Sequence, residues 1–147
     1  AILRDWSIAA ALVHCGQSTA FALGCPAGTK GWSVAIRNPM KHDDTLGTAR
    51  ISDVAVSGSG RKLHGDHIVD PRSGRAVDDK LGAWVLAPSA ALSDALATAF
   101  MVMSPDEVAA YCRRHTEVSA SLVMQVNEEQ NRLCFGTGLA PCDFKGE

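Results

Sequence analysis

The stretch Pro88-Ser89-Ala90-Ala91-Leu92-Ser93-Asp94-Ala95-Leu96-Ala97-Thr98-Ala99-Phe100-Met101-Val102-Met103-Ser104-Pro105-Asp106-Glu107 decides the fold class. Ser89 suits a helix N-cap, because its hydroxyl accepts from one of the unpaired N–H groups of a first turn. Behind it Ala90, Ala91, Leu92, Ala95, Leu96, Ala99, Phe100, Val102 and Met103 give a broad apolar surface that calls for a packing partner. A second helix starts at Ser104, with Pro105 in the first helical position and two acids in the first turn. It runs to about His115. Two helices in direct succession, with no strand between them, argue against regular βαβ units.

Working outward, the flanks read as strands. Residues 83–87 form one, closed by Pro88, and residues 119–126 and 132–135 form a closing pair joined by the polar connection 127–131. Residues 32–37 alternate apolar and polar, the mark of a half-buried strand that Asn38-Pro39 ends. Residues 9–14 read as a buried strand leading to the Cys15-Gly16-Gln17-Ser18 turn, and residues 18–23 as its neighbour. Residues 41–45 are a polar loop. Residues 46–53 and 54–57 add two strands, and Gly58-Ser59-Gly60 is too rich in glycine for regular structure. An extended segment within 64–74 must stop at Asp70-Pro71, since Pro disfavours helix in the residue before it. With strand partners mostly adjacent in sequence, the order predicts an α+β fold: a largely antiparallel sheet with two consecutive helices packed on it.

Composition narrows the function. The 147 residues fit one domain, and 46% hydrophobic with 20% charged residues is ordinary for a globular protein. A net charge of -2, with both signs spread along the chain, gives no footprint for a nucleic-acid backbone. A single Tyr offers no stacking platform for bases. No apolar stretch approaches the ~20 residues that span a bilayer. Ala1-Ile2-Leu3-Arg4-Asp5-Trp6 reads as the tail of a helix already begun, which points to a truncated chain lacking the segment that would report on location. The five cysteines lack a Cys-x-x-Cys and read mostly as small buried hydrophobes, with Cys134 and Cys142 able to pair only if the tail folds back. No glycine-rich dinucleotide fingerprint follows a strand.

Three groups of residues bear on chemistry. Asp94 and Thr98, four apart on a helix, project from one face and offer the hard oxygen donors that suit Mg²⁺. From spacing alone the commoner reading is a carboxylate favoured by the helix start and a hydroxyl bonded back to a carbonyl. The apolar context of Ala, Leu, Phe and Met favours the metal, since a polar stripe there needs a partner if buried. His67 is the second. His64 and His67 point to opposite faces of an extended strand and cannot ligate one ion together, but a single His serves as acid or base, and Arg72 suits a phosphate or carboxylate. Asp70-Pro71-x-x-Gly74 is by itself a turn signal. The third is Val56-Ser57-Gly58-Ser59-Gly60, either a loop whose small residues and N–H groups cradle an anion or a plain connection.

In this order the motifs resemble the ApbE family of FAD:protein FMN transferases. Ser57-Gly58 is followed by His67-Ile68-Val69-Asp70-Pro71-Arg72-Ser73-Gly74, then by Asp94-Ala95-Leu96-Ala97-Thr98. The family pattern is Ser-Gly, His-Ile-x-Asp-Pro-x-Thr-Gly, then a helix with Asp-Ala-x-x-Thr. Residues 13–24 and 32–39 are similar to the family's central glycine turn and its Trp-x-Val-x-Ile-x-x-Pro strand. The resemblance implies an ApbE-like, T-fold-like architecture of which this chain is an incomplete, C-terminal part. It implies Asp94 and Thr98 as Mg²⁺ ligands and His67, beside the FAD pyrophosphate, as the catalytic acid/base. Ser57, Gly58, His67 and Asp70 are then residues of the flavin nucleotide site.

The implied reaction moves FMN from FAD to a Thr or Ser hydroxyl of an acceptor redox protein, with AMP leaving. Family members are commonly extracytoplasmic and membrane-attached, and homo-oligomers are left open. The sequence departs from the pattern at three places. Cys15-Gly16-Gln17 stands where the family has Gly-Gly-Asp, Ser59 follows the Ser-Gly where Asp is common, and Ser73 replaces Thr. Nothing matches the family's N-terminal Gly-Ala-x-x-Lys-Gly segment, which supplies a further Mg²⁺ contact. The loss of two carboxylates motivates an alternative, a flavin- or Mg²⁺-binding module without transferase activity.

Overall fold

Period-two alternation sorts the strand residues onto two faces, and each face finds a different cover. The computed structural model describes residues 2–40, 44–61, 68–126 and 129–139. After a short α1 (Ile2–Asp5) come β1 (Ala11–Cys15), β2 (Thr19–Leu23), β3 (Trp32–Arg37), β4 (Thr45–Ile51) and β5 (Ala55–Gly60). The two-residue strands β6 (Val69–Asp70) and β7 (Arg75–Ala76) precede β8 (Lys80–Ala87). Then follow α2 (Ala90–Val102), α3 (Pro105–Arg114), β9 (Ser119–Val126) and β10 (Glu129–Phe135). Six strands form one sheet in the order β1-β2-β5-β8-β9-β10, antiparallel throughout. Hairpins β3–β4 and β6–β7 stand apart from it. This is the expected α+β architecture, with both helices on the sheet.

On one face Ala83, Val85 and Ala87 of β8 and Ala120 and Leu122 of β9 pack against Leu96, Ala97, Phe100 and Met101 of α2 and Val108 and Cys112 of α3. On the other, Trp84, Leu86, Ala20, Ala22, Val56 and Val123 pack under Ile36, Ala49 and Ile51 of the β3–β4 hairpin. Strand β8 is covered on both sides, and all eight of its residues are buried. Among the described residues no helix is long and apolar enough to cross a membrane.

Local signals account for the helix ends. The Ser89 hydroxyl accepts from Leu92 N–H at 3.3 Å. Met103 closes α2 with its N–H on the Ala99 carbonyl, and Ser104 follows at once. Its hydroxyl accepts from Glu107 N–H while Glu107 Oε2 accepts from Ser104 N–H at 2.7 Å, a reciprocal capping box. Ser93, fully buried, donates to the Val85 carbonyl at 2.6 Å and so seats α2 on β8 without leaving a hydroxyl unpaired.

Four expectations are corrected. Strand β1 is an edge strand, and Val13, His14 and Cys15 are exposed rather than buried. Gly58-Ser59-Gly60 is not irregular but the end of β5, paired with Trp84, Ala83 and Gly82 of β8. A Cβ on Gly58 would lie 2.7 Å from Trp84 Nε1, and one on Gly82 2.7 Å from Trp84 Cη2, so both glycines make room for the indole. Strand β10 begins at Glu129, because its register with β9 carries the polar residues Gln130 and Asn131 into the ladder. Of the cysteines, Cys112 is buried and Cys134 half-buried, but Cys15 and Cys25 are exposed; these four are free thiols, and Cys142 lies outside the described residues.

Candidate functional site

Where α2 crosses β2 and β5, hydroxyl groups from the sheet meet Asp94 and Thr98. Thr19, the first residue of β2, donates from Oγ1 to Asp94 Oδ1 at 3.1 Å. The same Oγ1 lies 3.0 Å from Ser57 Oγ on β5. A carboxylate only accepts, and Thr19 has one hydroxyl proton, so Ser57 is the donor in that second bond. The result is a directed chain, Ser57 to Thr19 to Asp94, whose two hydroxyl members are buried. One turn along the helix, Thr98 Oγ1 lies 3.0 Å from Ser59 Oγ. It also reaches back to the Asp94 carbonyl at 3.5 Å, the long local bond that helical Thr residues make.

The helix places Asp94 and Thr98 on its exposed side, with Ser93, Leu96, Ala97, Phe100 and Met101 turned into the core. The expectation that burial would force a partner on this pair is therefore corrected: solvent reaches both side chains. What marks the site instead is order. One oxygen of Asp94 is held by a buried hydroxyl, and among the described residues Oδ2 accepts no hydrogen bond. Among the described residues no three His, Cys, Asp or Glu side chains gather as a metal cluster. One carboxylate and one hydroxyl, with the remaining positions left to water and phosphate, is the donor set that Mg²⁺ takes. The residues present fit that ion.

The other candidate residues divide. His67 lies outside the described residues. Immediately after it, Ile68 is buried in the helix-side core and its carbonyl accepts from Val77 N–H at 2.9 Å. Asp70 organises the β6–β7 turn: its Oδ1 accepts from Arg72 N–H at 2.8 Å and from Arg72 Nε at 3.1 Å. Gly74 completes the turn with φ +68°, a conformation that side chains with Cβ rarely adopt. Hydrogen bonds from the Arg72 side chain and backbone hold the Asp70 carboxyl below the usual carboxylate range. Arg72 meets carboxylates within the chain itself. Its Nη1 donates to Glu107 Oε1 at 3.1 Å and its Nη2 to the Val102 carbonyl at 2.8 Å, at the C-terminal end of α2.

Ser57 and Gly58, expected side by side in a nucleotide site, lie on opposite faces of β5. The Ser57 hydroxyl joins the Asp94 network, while Gly58 faces Trp84. On the Gly58 side a cleft of about 530 Å³ opens between the sheet and the β3–β4 hairpin, its lining including Gln17, Ser33, Asn38, Gly58 and Trp84. The backbone of Gly58 is no anion cradle, since its N–H is taken by the Ser18 carbonyl at 2.8 Å. Thr19 is the residue that motif reading misses. It opens a short apolar strand 75 positions before Asp94, and only the fold joins the two.

The sequence model of the ApbE family matches residues 1–122. The chain belongs to the ApbE family. Solved ApbE structures share its fold. The flavin transferase ApbE from Vibrio cholerae superposes with a TM-score of 0.76 at 21% identity, covering 91% of this chain and 45% of its own. The apo flavinyl transferase ApbE of Pseudomonas stutzeri gives 0.72 at 21%, covering 91% and 44%. The ApbE protein of Thermotoga maritima gives 0.70 at 20%, covering 86% and 42%. The chain thus spans less than half the length of the ApbE structures it matches. No curated protein matches the sequence significantly.

Proposed function

We propose that this chain contributes the cation-binding half-site of an Mg²⁺-dependent FAD:protein FMN transferase. The observation that carries this reading is the Asp94 carboxylate, fixed by Thr19 and set one turn from Thr98, on a chain of the ApbE family. Asp94 and Thr98 would hold Mg²⁺, which when bound offsets charge on the FAD pyrophosphate. The acceptor's Thr or Ser oxygen attacks the FMN phosphorus, a new P–O bond forms, and the P–O bond to AMP breaks with its electron pair leaving on AMP. His67 is the residue proposed to take the hydroxyl proton. Ser57, Gly58 and Asp70 complete the proposed nucleotide-side residues. In this reading Ser57 acts through Thr19, Gly58 from the cleft face of β5, and Asp70 by shaping the turn that follows His67. In this reading the acceptor would be a membrane-bound or secreted redox protein, and the transferase itself would be extracytoplasmic and membrane-attached.

The test is to incubate the protein with FAD, Mg²⁺ and a peptide bearing an acceptor Thr, and to read FMN addition by mass spectrometry. Asp94→Ala lowers the rate by about 100-fold or more, because metal charge stabilisation is worth several kcal/mol. His67→Ala lowers it by about 100-fold or more through loss of the proton acceptor. Absence of adduct and of AMP, with FAD still retained, would favour the second reading, a flavin- or Mg²⁺-binding module. The exposed Gln17 and the Thr98-bonded Ser59, standing where the family carries acids, favour that reading.

A further inference from the structure

We infer that Thr19 is a positioning residue for the cation-binding oxygen of Asp94, and that Ser57 sets the direction in which it works; this rests on the proposal that Asp94 is a ligand. An exposed Asp on a helix ordinarily samples several side-chain rotamers, and a ligand that must be ordered on binding gives up affinity. Here the carboxylate is tethered at one oxygen. The tether begins on a buried β2 hydroxyl, so its anchor does not move with solvent.

The direction of the protons matters as much as the distances. If Thr19 donated to Ser57, its proton would be unavailable and two lone-pair-bearing oxygens would face each other across 3.1 Å. The carboxylate forbids this, and Ser57, 1% exposed and 3.0 Å away, supplies the proton that Thr19 accepts. Asp94 Oδ1 thereby accepts a directed hydrogen bond, which leaves Oδ2 as the oxygen that accepts none among the described residues. Such outer partners commonly control metal affinity by 10–100-fold without touching the ion.

A simpler role for Thr19 is to staple β2 to α2, and the two roles separate by experiment. Mn²⁺ alone, which accepts the same hard oxygen donors, is titrated into the protein and binding is read as loss of the free-ion EPR signal. Wild type and Asp94→Ala define the site. Thr19→Val keeps the shape and removes the hydroxyl, and Thr19→Ser keeps the hydroxyl. The expected result is Mn²⁺ affinity weaker by about tenfold in Thr19→Val and close to wild type in Thr19→Ser. Unchanged affinity in Thr19→Val, whatever its melting temperature, overturns the inference and leaves a staple. If Thr19→Val does not fold by circular dichroism, Ser57→Ala decides: several-fold weaker binding supports the inference, and unchanged binding overturns it. Wild-type binding that is absent, or that Asp94→Ala leaves intact, instead sinks the ligand reading of Asp94 and the inference with it.

Discussion

Gly58 lies opposite Trp84 across β5 and β8, and there is no room between them for a methyl group. Trp84 is buried beneath the β3–β4 hairpin, so it has little freedom to yield. Gly58→Ala is expected to destabilise the protein by about 1–3 kcal/mol, the usual penalty for overpacking, as read by urea denaturation. Trp84→Phe in the same chain should recover part of that loss, a coupling visible as non-additivity of the two changes. The pairing also shows what single residues disclose in sequence and what they withhold. Asp94 and Thr98 are legible as a pair because four residues make one helical turn. Thr19 is not, because nothing in a local window connects it to a carboxylate 75 positions away.

At the scale of elements, capping chemistry is written into adjacent residues, which is why both helix starts can be read directly. Ser89 and the Ser104–Glu107 box act within three positions of themselves. Strand β5 is harder, since glycine is poor strand material by propensity and its reason for being there is the Trp84 side chain on the next strand. Strand β10 hides its first residues for a related reason: register with β9, not composition, extends the ladder to Glu129.

The β6–β7 turn joins these elements to α2 and α3 through Arg72. The Asp70 carboxyl is held low by Arg72, and the Glu107 carboxyl chiefly by the Ser104 N–H, with Arg72 adding to it. Both carboxylates have lower folded than unfolded values, so their contribution is present above the ordinary carboxylate range near pH 4 and is lost as pH falls through the folded values. Arg72→Met should therefore flatten the decline of melting temperature between about pH 5 and pH 2, chiefly by releasing Asp70, with the Glu107 part retained. Melting curves at stepped pH for both proteins measure this, and equal slopes would remove Arg72 as the cause.

Across the whole molecule, one buried ring connects the layers. Phe100 is fully buried, packs in the core shared by α2, α3, β8 and β9, and meets Tyr111 edge-on at a centroid distance of 5.5 Å. Phe100→Ala is expected to destabilise by about 3–5 kcal/mol, with helix and sheet signals in circular dichroism lost in one urea transition. Two separate transitions would mean that the helices and the hairpin-covered face unfold apart.

Strand β5 carries a consequence for how such a molecule can change over generations. Its odd positions, Ser57 and Ser59, meet α2, and its even position Gly58 accommodates the indole. A substitution at any one of these positions touches one face alone, and at Gly58 even a methyl group meets the indole. Length is different: adding or deleting one residue before Ser57 would turn the hydroxyls toward Trp84 and the glycine toward Asp94 in a single step. A point substitution disturbs one face of this strand, and a shift of frame disturbs both at once.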